Sequence, residues 1–139
     1  MADLPTSLHL TVVTQERKVL EADVDEVELP GSEGYLGVLP GHTPLLAMLK
    51  IGVLSYRQSG QQQAMAIRWG FAEVLPDRVI VLAQGATAAE EIDAAKAEAT
   101  RQEAVRELAS LTSSDEGFAE VEARLHESLA MIQVSSRGH

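Results

Sequence analysis

The sequence predicts an α+β chain, mainly β in its N-terminal half: an antiparallel β-sandwich followed by a C-terminal antiparallel helical hairpin. Three observations carry this. Up to about Ala88, β-branched runs recur between turn signals at about 8–12 residue spacing. From Thr87 the composition shifts to Ala, Glu, Gln and Arg, all strong helix formers. A polar break at 112–117 then separates two segments whose apolar residues step by three or four.

The strands read in order. Leu8–Thr14 is rich in β-branched residues and partly alternates, and Val19–Val24 and Val27–Leu29 continue the pattern. Across 30–46, Gly31, Gly34, Gly37 and Gly41 are interspersed with Pro30, Pro40 and Pro44. Glycine permits positive φ and proline fixes φ, so this is a rigid strand–loop–strand segment. Val53–Arg57 ends at the turn Ser59-Gly60. Ala64–Trp69, Phe71–Leu75 and Val79–Ala83 follow, with turn signals at Trp69-Gly70 and Pro76-Asp77 between them. No helical pattern interrupts the strands, which argues against parallel βαβ units.

Thr87-Ala88-Ala89-Glu90 fits a capping box opening a helix over Ala88–Leu111. A second helix is expected from Phe118 to Val134. Its stripe is Phe118, Val121, Leu125, Leu129 and Ile132, and Ala97, Ala104, Leu108 and Leu111 offer a matching face. Ser135–His139 reads as a frayed tail. The chain divides into residues 1–88, a sandwich domain, and 89–139, a hairpin domain.

Composition narrows the function classes. The 139 residues carry a formal net charge of −10. Nucleic acid and anionic membrane surfaces both require clustered Lys and Arg, so neither is an expected partner. No apolar run reaches the roughly 18 residues needed to span a bilayer, so direct membrane insertion is not expected. Met1–Ser7 has no signal-peptide pattern. With no cysteine, thiol catalysis, disulfides and zinc–thiolate sites are absent. His9, His42, His126 and His139 are scattered, so no metal site is expected.

Four groups of residues are candidates. Ser32, Glu33 and Tyr35 fall at an exposed loop tip, where binding residues collect. Turn geometry explains the glycine run better than a phosphate cradle, because neither the GxxxxGK[ST] nor the GxGxxG spacing is present. Gly41 and His42 form a turn, with the imidazole bonding that turn; no nucleophile accompanies it. Ile92, Asp93, Lys96 and Ala97 open the first helix. Asp93 is favourable at a helix N-terminus on its own account, while Lys96 there could hold an anion. Arg101, Arg106 and Arg124 either pair with Glu98, Glu103 and Glu122 on a solvated face or meet an acidic partner.

Three segments, in order, resemble the epsilon subunit of bacterial F-type ATP synthase. They are Gly31-Ser32-Glu33-Gly34 through Leu45, Gly70-Phe71-Ala72-Glu73-Val74, and Ala89-Glu90-Glu91-Ile92-Asp93. The resemblance covers nearly the whole chain. It implies a non-catalytic rotor subunit at the foot of the central stalk, peripheral on the cytoplasmic face of the bacterial membrane. The sandwich would link the gamma subunit to the c-ring, with Ser32, Glu33 and Tyr35 facing the ring. The hairpin would dock on the sandwich or rise to the beta and alpha subunits and restrain ATP hydrolysis. Some family members bind ATP at [IL]-D-x-x-R-A. Here Ile92, Asp93 and Ala97 match but Lys96 replaces Arg, losing the bidentate fork, so ATP binding is expected to be weak or absent. No cofactor is implied. The family's inhibition uses basic helix residues, whereas this segment from Ala89 onward holds five basic and eleven acidic residues. Only Arg101, Arg106 and Arg124 are placed to help. The rival readings are a freestanding sandwich adaptor with a hairpin and, more remotely, a hydrolase centred on His42.

Overall fold

The computed structural model describes residues 4–137. Strands β1 (Leu8–Val13), β2 (Lys18–Val24), β3 (Glu26–Gly31), β4 (Gly34–Val38), β5 (Leu45–Leu49), β6 (Gly52–Gln58), β7 (Gln61–Leu75) and β8 (Arg78–Ala88) come first. A 3₁₀ turn at Ala89–Glu91 and the helices α1 (Ala94–Ala109) and α2 (Phe118–Arg137) follow. Helix therefore continues into the expected tail as far as Arg137; the last two residues lie outside the described range.

The strand order is β2-β1-β8-β7-β5-β3-β4, with β6 between β3 and β7. β7 belongs to both layers. Its first half pairs with β6, from Gln61 to Ile67, and its second half with β5, from Gly70 to Val74. β8 follows it almost throughout. Leu8, Leu10, Val12, Val27, Leu29, Leu54, Ile67, Val74, Val79 and Val81 alternate inward and meet in one core.

Several expectations are corrected. Trp69-Gly70 is not a turn between two strands: the strand runs on through a bend there. Trp69 has φ 38° and Gly70 φ 155°. A Cβ on Gly70 would lie 2.1 Å from the Leu82 carbonyl oxygen, so the bend brings two backbones closer than any side chain allows. The sheet is not wholly antiparallel, because β1 runs parallel to β8. The 30–46 segment, by contrast, is strand–loop–strand as expected: β4, the loop at 39–44 and the start of β5. Thr87 does not cap a helix, because it pairs with Ala66 inside the ladder. Glu91 instead accepts the Ala88 N–H, and the true N-cap is Asp93, which accepts the Lys96 N–H at 3.1 Å.

The second-helix stripe is also reoriented. α2 meets the sandwich through Ala130 and Val134, which pack on Val53 and Ala66. At 100° per residue, Phe118, Val121, Leu125, Leu129 and Ile132 lie on nearly the opposite side of the helix from these two. Arg124 on the intervening face reaches Glu107 of α1 at 3.0 Å. Val121 is buried and Leu129 remains 43% exposed. The seat on the sheet is thus made by Ala130 and Val134, with Met131 partly buried beside them.

At the β2 edge, His9 Nδ1 lies 2.8 Å from Asp23 Oδ1 and Nε2 lies 2.8 Å from Glu21 Oε2. Both bonds need an imidazolium, since neutral histidine has one N–H. Asp23 foremost, then Glu21, raises the His9 pKa above 6.5. Lys18 foremost, then His9, lowers that of Glu21 to about 2.

Two predictions follow from these contacts. Gly70→Ala should lower stability by about 2–4 kcal/mol in urea unfolding, from steric overlap and backbone strain together. Gly37→Ala should be near neutral, since a Cβ there meets nothing within 4 Å. For His9, the raised folded pKa makes its stabilisation complete below 6.5 and lost as pH rises through the folded value. That of Glu21 is present above its ordinary 4.5 and lost as pH falls through about 2. An NMR titration should place His9 above 6.5 and Asp23→Asn should bring it down; an unshifted His9 would disprove the clasp.

Candidate functional site

The outer face of the β2-β1-β8-β7-β5 layer carries the main unburied apolar surface. Cross-strand register sets Met48 beside Phe71 and Phe71 beside Leu82. Val13 lies beside Leu82 on the parallel strand. Met48 is 62% exposed, and Phe71, Leu82 and Trp69 are about 40% exposed. They line an open groove with Gln15 and Gln84 at its border. One row along, Leu46 pairs with Glu73 and is also exposed. Away from this patch, the same face ends in the charged group His9, Asp23, Glu21 and Arg78. A contiguous apolar patch with a polar margin is the physical signature of a docking surface.

This surface was not among the sequence candidates. Leu45–Leu49 is uniformly apolar and lacks alternation, and the row Met48–Phe71–Leu82 exists only once three strands are in register. The Gly70-Phe71-Ala72-Glu73-Val74 segment was the one partial pointer.

The sequence candidates lie elsewhere, and not together. Ser32 and Glu33 form the exposed two-residue turn between β3 and β4. The Ser32 N–H donates to the Met48 carbonyl at 2.9 Å, which fixes the turn at the C-terminal end of β5. Tyr35 is not at the tip. It lies within β4, its hydroxyl accepts the Val53 N–H at 3.3 Å, and Lys50 Nζ sits 5.9 Å from its ring. Gly41 (φ 88°) and His42 lie at the other end of β5. The Gly41 N–H donates to the Pro76 carbonyl at 2.7 Å, and His42 Nδ1–H to the Thr43 carbonyl at 2.6 Å. The imidazole thus bonds its own turn, as its sequence setting suggests.

Ile92, Asp93, Lys96 and Ala97 line one small cleft with Thr100, Arg124, Glu127 and Met131. Ile92 packs into the joint between hairpin and sandwich, Asp93 caps α1 and Ala97 is buried. Two carboxylates, Glu91 and Glu127, share the walls and oppose a phosphate. The 3₁₀ turn is fastened to the sandwich by Arg17, whose Nη2 is 2.9 Å from Glu91 Oε2. Of the arginines, Arg101 is bonded to Glu98 and Arg124 to Glu107, rather than to Glu122. Arg106 has no ion-pair partner among the described residues and sits in the last turn of α1, where a cation favours the helix dipole. No group of three or more candidate metal ligands occurs among the described residues.

These features of the described residues are surfaces and joints. Residues 7–89 match the family model of the ATP synthase delta/epsilon chain β-sandwich domain, and residues 90–136 match that of its long α-helix domain. The chain is 43% identical over 131 residues to ATP synthase epsilon chain 2 of Syntrophotalea carbinolica, covering 94% of this chain and 95% of that one. It is 44% identical over 130 residues to the ATP synthase epsilon chain of Citrifermentans bemidjiense, covering 94% of each. A chain in the cryo-EM structure of the Euglena gracilis mitochondrial ATP synthase, OSCP/F1/c-ring, superposes with a TM-score of 0.80 at 27% identity, over 94% of this chain and 82% of that one. The chain belongs to the delta/epsilon chain family of ATP synthase.

Proposed function

We propose that this protein is the non-catalytic epsilon subunit of an F-type ATP synthase rotor, peripheral on the cytoplasmic face of a bacterial membrane. The observation that carries the reading is the exposed Met48–Phe71–Leu82 row on a sandwich that matches the delta/epsilon chain β-sandwich domain. In this reading the apolar face seats the gamma subunit. Ser32 and Glu33 at the β3–β4 turn, with Tyr35 behind them, meet the c-ring, and Gly41 and His42 shape a second contact with the stalk. The protein transmits torque and does no chemistry. Close packing of the core suits that role, because such interiors are stiff.

The division at Ala88 belongs to the same reading. Every residue of the main core precedes it, so residues 1–88 bury their own apolar surface without the hairpin. The hairpin is the regulatory part. It rests on the sandwich through Ala130 and Val134, which pack on Val53 and Ala66, with Met131 and Ile92 partly buried beside them, a seat with few large side chains. Arg101, Arg106 and Arg124 remain the basic residues that would meet the beta and alpha subunits. Two of them are already neutralised within the hairpin, which argues for weak inhibition. The coupling ion is taken to be the proton.

ATP hydrolysis by an epsilon-depleted catalytic head tests this. The whole chain should bind and slow hydrolysis, while a chain ending at Ala88 should bind without slowing it. Phe71→Glu should abolish binding of both. A Phe71→Glu chain that binds normally would refute the docking face.

For ATP itself, the cleft at Ile92, Asp93, Lys96 and Ala97 should bind more weakly than about 1 μM, equivalent to about 8 kcal/mol. Calorimetry giving a submicromolar dissociation constant would overturn this.

A further inference from the structure

The bend in β7 places one side chain in two different places at once. Trp69 lines the groove on the outer face with Met48, Phe71 and Leu82. It also lines the cleft beneath α2, with Ala119, Ala123 and His126. A strand residue ordinarily serves one face only. Here the φ of 38° at Trp69 turns the indole around the corner of the sandwich. Positive φ at a bulky residue is a strained backbone state that persists only where its surroundings enforce it.

The preceding residue completes a connection. The Arg68 guanidinium carbon stands 5.4 Å from the centroid of the indole, within cation–π range. Arg68 Nε lies 3.7 Å from Glu127 Oε2 on α2. Glu127 shares the sandwich-facing side of α2 with Ala123 and Ala130. Trp69, Arg68 and Glu127 thus form a continuous series from the outer apolar groove to the underside of the hairpin.

We propose that Trp69–Arg68–Glu127 is a mechanical relay coupling occupancy of the outer face to the position of the hairpin. This rests on the reading of that face as the gamma-docking surface. A partner seated in the groove packs against the indole and holds it under Arg68. The guanidinium then loses its freedom to swing away and stays with Glu127. Docked hairpin and bound partner therefore stabilise each other, and linkage requires the effect to be reciprocal. A substitution on α2, on the far side of the sandwich corner from the groove, must weaken binding in the groove.

The test is the affinity of full-length variants for the purified gamma subunit. Because Arg68 and Glu127 are partly exposed, the pair supports only a modest effect. Glu127→Gln should weaken binding about twofold to fivefold. Glu103→Gln, which removes the same charge from α1 without touching the relay, should leave it unchanged. Arg68→Gln should weaken binding to a similar degree, and the double variant should lose no more than the worse single one. Amide exchange over α2 in the bound chain should be slower than in the free chain, and Glu127→Gln should remove that difference. Wild-type affinity in Glu127→Gln, or additive losses in the double variant, would overturn the relay and leave the docking face standing. Failure of the wild-type chain to bind gamma would overturn both.

Discussion

The close approach of Gly70 to Leu82 is the contact on which the other features rest. Only there can β7 change partners, leaving β6 and taking up β5 without breaking its ladder to β8. That one continuous strand makes the two layers a single body. It also sets Phe71 in register with Met48 and Leu82, and points Ala66 at the hairpin. Without the bend, the exposed apolar face and the hairpin seat would not share one continuous strand. A corner residue with no side chain thus positions both surfaces.

The seat of the hairpin on the sandwich is built chiefly of small side chains. Ala130 and Val134 pack on Val53 and Ala66, with Met131 and Ile92 partly buried beside them. Hydrophobic stabilisation follows area, so this seat is weaker than one lined throughout by large side chains. The chain is continuous across the joint through the 3₁₀ turn, which Arg17 and the Ala88 N–H fasten through Glu91. Ion pairs between Arg101 and Glu98 and between Arg124 and Glu107 lie inside the hairpin, and Arg17–Glu91 and Arg68–Glu127 join residues 89–139 to the sandwich.

Most of the architecture was legible in the residues, because its signals are local. Ser59-Gly60 and Pro76-Asp77 are turns whose chemistry is written in two residues, and the Ala-rich composition of α1 is a matter of propensity. What was not legible depends on distant residues. The start of α1 was misplaced because Thr87 has the side chain of a cap, and only pairing with Ala66 shows it to be a strand residue. Trp69-Gly70 reads as a turn because positive φ is the ordinary sign of one; here the same geometry bends a strand. The α2 stripe was seen, but a periodic stripe does not say which of two neighbours it faces. The candidate loop at Ser32 and Glu33 stood out for its glycines. The apolar patch did not, because three separated strands each contribute one residue to its central row.

The parallel pairing of β1 with β8 bears on how the chain comes to be made. β1 precedes its partner at 78–82 by some seventy residues of chain. Contacts between distant segments close slowly, because the loop entropy must be lost before the pairing returns it. Until β8 arrives, β1 is paired on one edge only, with β2, and the core around Leu8, Leu10 and Val12 lacks Val79, Val81 and Ala83. The sandwich therefore completes late and nearly all at once. The hairpin, synthesised directly after β8, reaches a barrel that has only just closed. The order of synthesis delivers every residue of the main core before either helix.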